Sequence, residues 1–342
     1  MKFNEGLSLL LVTIIGAGVF ALPVLASEVS PFYVLISLSL GFLFSVFLGY
    51  TVLSFAPADI EEEVERVLGY WGRLAIHLTN ISILLLSLTA YMMALEYHLN
   101  TSMFMLLLLL LVPLLFHITF PAAFSMTLSA FLVAFLAVIS ISNLHFVEHV
   151  SVVTRPIFLP PLIAASYFAF FGHNVMGRLR NIVRNISKVK EIVMLSAIIV
   201  FLLYLPFVLS TAYVGFGKIA TLTLASLYGE PYSSLISLSA SVIFYTSFIL
   251  LGIHLKEMFP RQKYSSLFIV AIIAALYYVV RVADIPFAIL ISTAGFAVSI
   301  WAIIVSVAAL KSKRKSDLLS QLSPYLTMAL AILPFFLLLF YR

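Results

Sequence analysis

Ile14-Ile15-Gly16-Ala17-Gly18-Val19-Phe20-Ala21-Leu22-Pro23 lies inside the first long apolar stretch of the chain, and its reading decides the fold. Two glycines sit near the middle of a segment long enough to cross a bilayer, and Pro23 follows them closely. Glycine weakens a helix, and proline removes a backbone donor. In hydrocarbon, an unpaired backbone group persists only where it faces protein, water or a ligand. A plain anchor has no use for such a segment. The stretch predicts an interrupted helix that holds free N–H and carbonyl groups at membrane depth.

Composition agrees with a membrane setting. Of 342 residues, 63% are hydrophobic and 10% charged, with a mean hydropathy of +1.17. Soluble domains run at about 45–50% apolar and roughly 25% charged. The chain therefore reads as an all-α integral membrane protein. Met1-Lys2-Phe3-Asn4-Glu5 is too brief and too weakly basic for a signal-peptide leader, so the first segment is expected to be retained. Cysteine is absent, which excludes disulfides, thiol nucleophiles and cysteine-ligated metals. A net charge of +5 would suggest nucleic acid in a soluble protein. Here the basic residues fall in loops, where the lipid surface accounts for them and no nucleic-acid partner is expected.

A spanning helix needs about 20 apolar residues. Eleven segments meet that need, at roughly 6–27, 31–55, 74–97, 102–119, 122–142, 160–177, 190–213, 232–254, 265–283, 286–310 and 323–341. Placing the N-terminus in the cytoplasm and alternating puts only Arg155, Lys218, Arg281 and Arg342 outside, of 19 Lys and Arg in all. The positive-inside rule expects that bias. The expected protein is thus multi-pass, in a plasma or inner membrane, with a cytoplasmic N-terminus and an extracytoplasmic C-terminus. Asp59 to Gly69 carries Ile60, Val64, Val67 and Leu68 at helical spacing among acids, which predicts a short amphipathic helix at the cytoplasmic face.

A second interruption is written half a chain later, in Phe168-Ala169-Phe170-Phe171-Gly172-His173-Asn174. Strongly polar residues at depth face a cavity or the bundle interior. The first helix of each group of five thus carries a break, and five being odd, the groups start with opposite orientations. Two five-helix units of opposite topology, each opening with a broken helix, form the LeuT-like inverted-repeat bundle of secondary transporters. The division follows: 1–142 as the first repeat, 143–315 as the second, and 316–342 as an eleventh transmembrane helix.

At this point the chain resembles the amino acid/auxin permease family, within the amino acid–polyamine–organocation superfamily. The residues that carry the likeness are Gly16-Ala17-Gly18 with Leu22-Pro23, Glu61-Glu62 through Leu68-Gly69, and Ala90-Tyr91. Phe168-Ala169-Phe170-Phe171-Gly172-His173 and Tyr213-Val214-Gly215-Phe216-Gly217 add to it. Ala212 stands where the family has glycine, and the loops are short. The resemblance implies an ion-coupled carrier of amino acids, driven by H⁺ or Na⁺ and needing no further cofactor. It implies that the backbone at Gly16, Ala17 and Gly18 receives the substrate carboxylate. Carbonyls near Phe168 and Phe170, beside Gly172, would receive the ammonium group. The rings of Phe168, Phe171 and Tyr91 would cover the site and favour a neutral, apolar or aromatic side chain. An amino-acid-sensing transceptor, or a carrier of another small organic solute on the same scaffold, stands as the alternative. Oligomeric state is not written in the sequence.

Individual residues have competing readings. The glycines of the first helix also suit close packing between helices. His173 suits proton coupling by its ordinary pKa, or equally a neutral imidazole that donates to a carbonyl and holds the break. Thr246 and Ser247 could bind Na⁺ with a carbonyl near Ile15, or simply bond their own helix. Glu96 and His98 are expected at interfacial water, and Arg281 with Asp284 as a local ion pair. His77 and His117 show no sequence partner. His145-Phe146-Val147-Glu148-His149 matches a zinc-peptidase pattern. It lies in a short connection with no catalytic domain around it, which disfavours an intramembrane metalloenzyme.

Overall fold

The computed structural model describes residues 2–55, 59–116, 122–143, 155–213, 219–259, 265–312 and 318–341. Among them, nine helical stretches are long and apolar enough to cross a membrane. Two shorter apolar helices, Met105–Leu115 and Pro156–Ala169, lie in the places of the fourth and sixth expected segments. The protein is an all-helical, multi-pass membrane protein.

In chain order the helices are α1 Lys2–Ile14, α2 Leu22–Ala26, α3 Pro31–Phe55, α4 Ile60–Leu99 and α5 Met103–Phe116. Then come α6 Ala122–Asn143, α7 Leu159–Ala169, α8 Met176–Val183, α9 Ile186–Ala212 and α10 Ala220–Tyr228. The last are α11 Tyr232–Glu257, α12 Ser265–Val282, α13 Phe287–Ser312 and α14 Leu318–Phe340. α10 was not expected: 216–231 reads as a loop, because nine residues are too few to register as a span.

The amphipathic segment is helical as expected: it is the first part of α4, set off from the membrane-spanning part by a break at Gly69. Asp59 caps it, its carboxylate accepting from the N–H groups of Glu61 at 2.8 Å and Glu62 at 3.2 Å. At Gly69 the backbone turns to φ 74°, ψ −170°, a conformation that favours glycine, and the helix resumes through the membrane. This bend returns Glu61 to the later turns of α4, where its carboxylate meets His77 Nδ1 at 3.0 Å and Asn80 at 3.4 Å. His77 therefore has a partner that its sequence neighbours do not reveal.

α4 and α13 pack along one another and against α7, α3 and α11, forming the centre of the bundle. At Gly295 of α13 a Cβ would fall on the Ala164 carbonyl of α7, so only glycine permits that approach. Two outer-end contacts correct the sequence reading. Arg281 meets Glu96 Oε1 at 3.4 Å, and Tyr277 also donates to Glu96. The partner of Arg281 is thus on α4, while Asp284 closes the turn after α12 through its N–H to the Arg281 carbonyl. His98 is bonded to Thr221 of α10 at 2.7 Å and stacked on Phe244, away from interfacial water. The His145–His149 pattern, His117 and Gly215 to Gly217 lie outside the described residues.

Candidate functional site

Both expected interruptions are present. α1 ends at Ile14, Gly16 is extended at φ −100°, ψ −165°, and a tight turn over Ala17–Ala21 leads into α2. Pro23 falls in the first turn of α2, where a missing N–H costs nothing. α7 ends at Ala169, Gly172 stands at φ −137°, ψ 16°, and a turn over His173–Val175 precedes α8.

The two breaks cross. A Cβ on Gly18 would lie 2.9 Å from Phe168 Cδ1 and 3.2 Å from Ala169 Cα, and one on Gly172 would lie 2.6 Å from Ile14 Cγ1. Freed carbonyls find side-chain donors, as the hydrocarbon requires. The Tyr204 hydroxyl of α9 lies 3.0 Å from the Ile14 carbonyl and 3.3 Å from that of Ala169, so one residue ties both breaks together. Ser45 of α3 donates to the Phe170 carbonyl at 3.0 Å.

Space opens beside this crossing. A small gap of about 30 Å³ lies among Gly16, Gly18, Ser87, Tyr91, Phe168 and Phe171. A vestibule of about 380 Å³ adjoins it at Thr13, Gly16, Asn80 and Tyr91, and takes in Ser247 and Trp301. It runs outward past Asp59, Glu61, Arg178, His254 and Glu257, with Arg178 paired to Glu257 at the mouth (Oε2 at 2.6 Å). On the opposite side the route is filled by aromatic rings. Phe244 packs on Phe20 at 5.3 Å, Phe287 at 6.1 Å and Tyr91 at 6.3 Å, and Phe20 packs on Phe207 at 5.8 Å. Among the described residues, the vestibule opens on the Arg178 side, and the aromatic stack lies on the other.

Of the residues singled out in the sequence, Gly16, Gly18, Tyr91, Phe168 and Phe171 come together at the gap. The main chain of Ala17 belongs to the same break. The glycines divide by role: Gly18 is where the breaks touch, and Gly16 faces space, its Cβ position 3.4 Å from Tyr91 Oη and 3.5 Å from Ser247 Oγ. Phe170 does not join them. It is buried edge-on against Tyr204 at 5.3 Å, and a Cβ on Gly41 would meet its ring at 2.9 Å. Gly172 likewise packs on Leu10 and Ile14 rather than on the gap. His173 is wedged against α3, with Nε2 2.8 Å from the Ser45 carbonyl, which makes Nε2–H the donor. That geometry is the break-holding arrangement; His173 is not itself among the lining residues, although its ring lies 5.7 Å from that of Phe171 at the gap. Thr246 bonds back to the Val242 and Ile243 carbonyls at 2.8 and 3.1 Å, and Ile15 is buried at the end of α1. Ser247 alone of that set lines the vestibule.

Asn80, Thr13, Trp301, Tyr204 and Ser45 were not singled out in the sequence. Trp301 carried a signal: a tryptophan in mid-span is out of place, since membrane tryptophans gather at the interfaces. The others have none, because their roles depend on which helix faces them.

No protein-family model and no curated protein matches the sequence. Solved structures do match. An Eremococcus coleocola manganese transporter, in one of its mutant forms, superposes with a TM-score of 0.62 at 12% identity, over 97% of this chain and 85% of that one. The same transporter in complex with an aromatic bis-isothiourea substituted compound gives 0.62 at 11% over the same shares. At that identity the likeness is one of fold: this chain folds as that membrane transporter does.

Proposed function

We propose that this protein is a secondary active transporter of neutral, apolar or aromatic amino acids, coupled to H⁺ or Na⁺ and working by alternating access. The observation that carries the reading is the pair of crossed helix breaks beside a cavity that opens to one side and is closed by aromatic rings on the other. That is one state of a two-state carrier. The mouth lies at the Arg178 end, so the positive-inside bias makes this the cytoplasm-open state.

The repeat reading groups α1 to α6 as the first five spans and α7 to α13 as the second, inverted set, with α14 as the eleventh. The LeuT-like arrangement and the likeness to amino acid/auxin permeases belong to this proposal. Substrate chemistry follows from the lining. Thr13, Gly16, Asn80, Tyr91 and Ser247 offer neutral polar groups, and Phe168, Phe171 and Trp301 offer rings. Among the described residues the vestibule lining carries three carboxylates, Asp59, Glu61 and Glu257. Glu257 is paired with Arg178, and Glu61 is bonded to His77 and Asn80. A hard divalent cation takes several oxygen ligands that usually include carboxylates, and none of the described residues around the inner gap is a carboxylate. A zwitterion needs instead a helix N-terminus for its carboxylate and free carbonyl capacity for its ammonium group.

Reconstituted liposomes carrying a labelled amino-acid panel, under a proton gradient and a sodium gradient in turn, test the proposal. Accumulation of neutral amino acids under one gradient is the expected result. Mn²⁺ uptake without amino-acid uptake would overturn it. Binding without flux would favour the transceptor reading.

A further inference from the structure

Trp301 stands in the middle of α13, 1% exposed, on the wall of the vestibule with Gly16, Tyr91 and Ser247. Its ring packs edge-on against Phe171 of the second break, with centroids 5.3 Å apart at 77°. The indole N–H is buried and meets no acceptor among the described residues. An indole nitrogen can only donate, and buried Trp N–H groups normally find a partner. The residue thus lines the vestibule with an unpartnered donor that is covered in this state. A small movement of the ring against Phe171 would open that donor to an occupant of the cavity.

We propose that Trp301 is a substrate-contacting residue whose indole N–H donates to a carboxylate oxygen of the bound amino acid. The inference rests on the transporter reading and deepens it. A carboxylate has two oxygens and about four lone-pair sites. The Gly16 N–H is already donated to the Ile14 carbonyl at 2.7 Å. The turn that follows, from Ala17 on, would therefore engage one oxygen through its backbone N–H groups, and Trp301, on the same vestibule lining, would engage the other. Contact through Phe171 then links substrate occupancy to the position of the second break. This makes α13, which carries no break, part of the specificity of the site.

The chain holds two tryptophans, and Trp71 is 76% exposed beside the Gly69 bend and is not among the residues lining the vestibule. Trp71→Phe therefore leaves Trp301 as a single internal reporter. In detergent, the Trp301 emission of that protein is titrated with neutral L-amino acids and with their amino-alcohol analogues, which lack the carboxylate. A saturable emission shift with the acids and none with the alcohols is the expected result. Trp301→Phe keeps a ring and removes only the donor. It should raise the apparent Kd for the acids about tenfold, the effect of losing one good hydrogen bond to a charged group, and leave alcohol binding unchanged. Equal affinity of the two proteins for the acids overturns the Trp301 contact and leaves the transporter reading standing. So does an emission shift with alcohols as large as with acids. Absence of amino-acid binding and uptake in the unmodified protein refutes both. The emission arm needs no change at position 301, so a poorly folding Trp301→Phe protein does not remove the test.

Discussion

Gly16 and Gly18 are two residues apart and look interchangeable in the sequence, yet the structure predicts opposite outcomes for the same methyl group. At Gly18 a Cβ would stand 2.9 and 3.0 Å from two Phe168 ring carbons and 3.2 Å from Ala169 Cα. Unstrained carbon contacts lie at about 3.5–4.0 Å. Phe168 can swing only into the gap of about 30 Å³ beside it, and the Ala169 backbone cannot move without opening the crossing. Overpacking of this kind costs about 1–3 kcal/mol, so Gly18→Ala should lower the thermal midpoint by roughly 1–4 °C in a chain of this size. At Gly16 the nearest atoms are 3.4 Å and 3.5 Å away, both hydroxyl oxygens, which is ordinary contact. The backbone at φ −100°, ψ −165° is open to any residue. Gly16→Ala should therefore keep its midpoint or gain about 0.4–1 kcal/mol through the unfolded chain. Its methyl instead narrows the space between Tyr91 and Ser247, and KM for the transported solute should rise about tenfold, or about 1.4 kcal/mol. The assay pairs a thermal scan in detergent with uptake kinetics in liposomes. A Gly16→Ala protein that is less stable than Gly18→Ala, or that transports with unchanged KM, would refute the division of roles.

Two further perturbations probe the frame around that site. Tyr204→Phe removes the hydroxyl shared by the Ile14 and Ala169 carbonyls. The Ile14 carbonyl keeps the Gly16 N–H at 2.7 Å, and leaving the Ala169 acceptor without its donor costs about 1–3 kcal/mol. The variant should lose both thermal stability and maximal rate, and a wild-type rate would show that the tie between breaks is dispensable. On the closed side, Thr221→Val removes the 2.7 Å bond to His98 that holds α10 against α4. A net bond strength of about 0.5–1.5 kcal/mol corresponds to a roughly 2- to 12-fold gain in the outward-open population. Because the chain has no native cysteine, a single Ser247→Cys gives a clean readout. A membrane-impermeant thiol reagent applied from the closed side should label it faster by that factor in Thr221→Val than in the parent. Equal labelling would place the seal in the aromatic stack alone.

What the sequence made legible was local chemistry; what it hid was pairing across the bundle. The breaks at Gly16–Gly18 and Phe170–Gly172 were readable because glycine, proline and clustered polar residues announce themselves in an apolar run. So were the spans and the amphipathic helix ahead of the third, which a break at Gly69 separates from it. From sequence, Phe168 and Phe171 are expected to act through their rings and Phe170 through a nearby carbonyl. Only the end of α7 at Ala169 decides which rings turn to the gap and which turns to Tyr204. Glu61 and His77 are 16 positions apart, and Arg281 and Glu96 are 185 apart. No periodicity connects such pairs. Tyr204 is the clearest case: a tyrosine in an apolar helix reads as a packed ring with a polar tip, and its service to two carbonyls exists only once both breaks are placed beside it.

A fold shared with a manganese transporter at 12% identity leaves the cargo to be argued from the site, since one scaffold hosts different chemistries. Crossed breaks are useful for either cargo: they expose carbonyls that suit a cation and N–H groups that suit an anion. What separates the cases is the charge that the side chains bring to the centre. A bare divalent ion arrives with two positive charges that the surrounding ligands must balance in a medium of low dielectric. An amino acid brings both charges with it and asks of the protein only two oppositely poled main-chain sites and a shaped pocket. On the proposed reading, the rings of Phe168, Phe171 and Trp301, with the hydroxyls of Tyr91, Thr13 and Ser247, make the second kind of centre. Glu61 and Glu257 would then meet the entering zwitterion as already paired groups, bonded to Asn80 and to Arg178. Moving a carboxylate inward, as in Ser247→Asp, is the sharpest way to ask whether this scaffold has been set for neutral cargo. It should abolish amino-acid uptake and, if the breaks are as permissive as their geometry implies, confer measurable binding of a divalent cation.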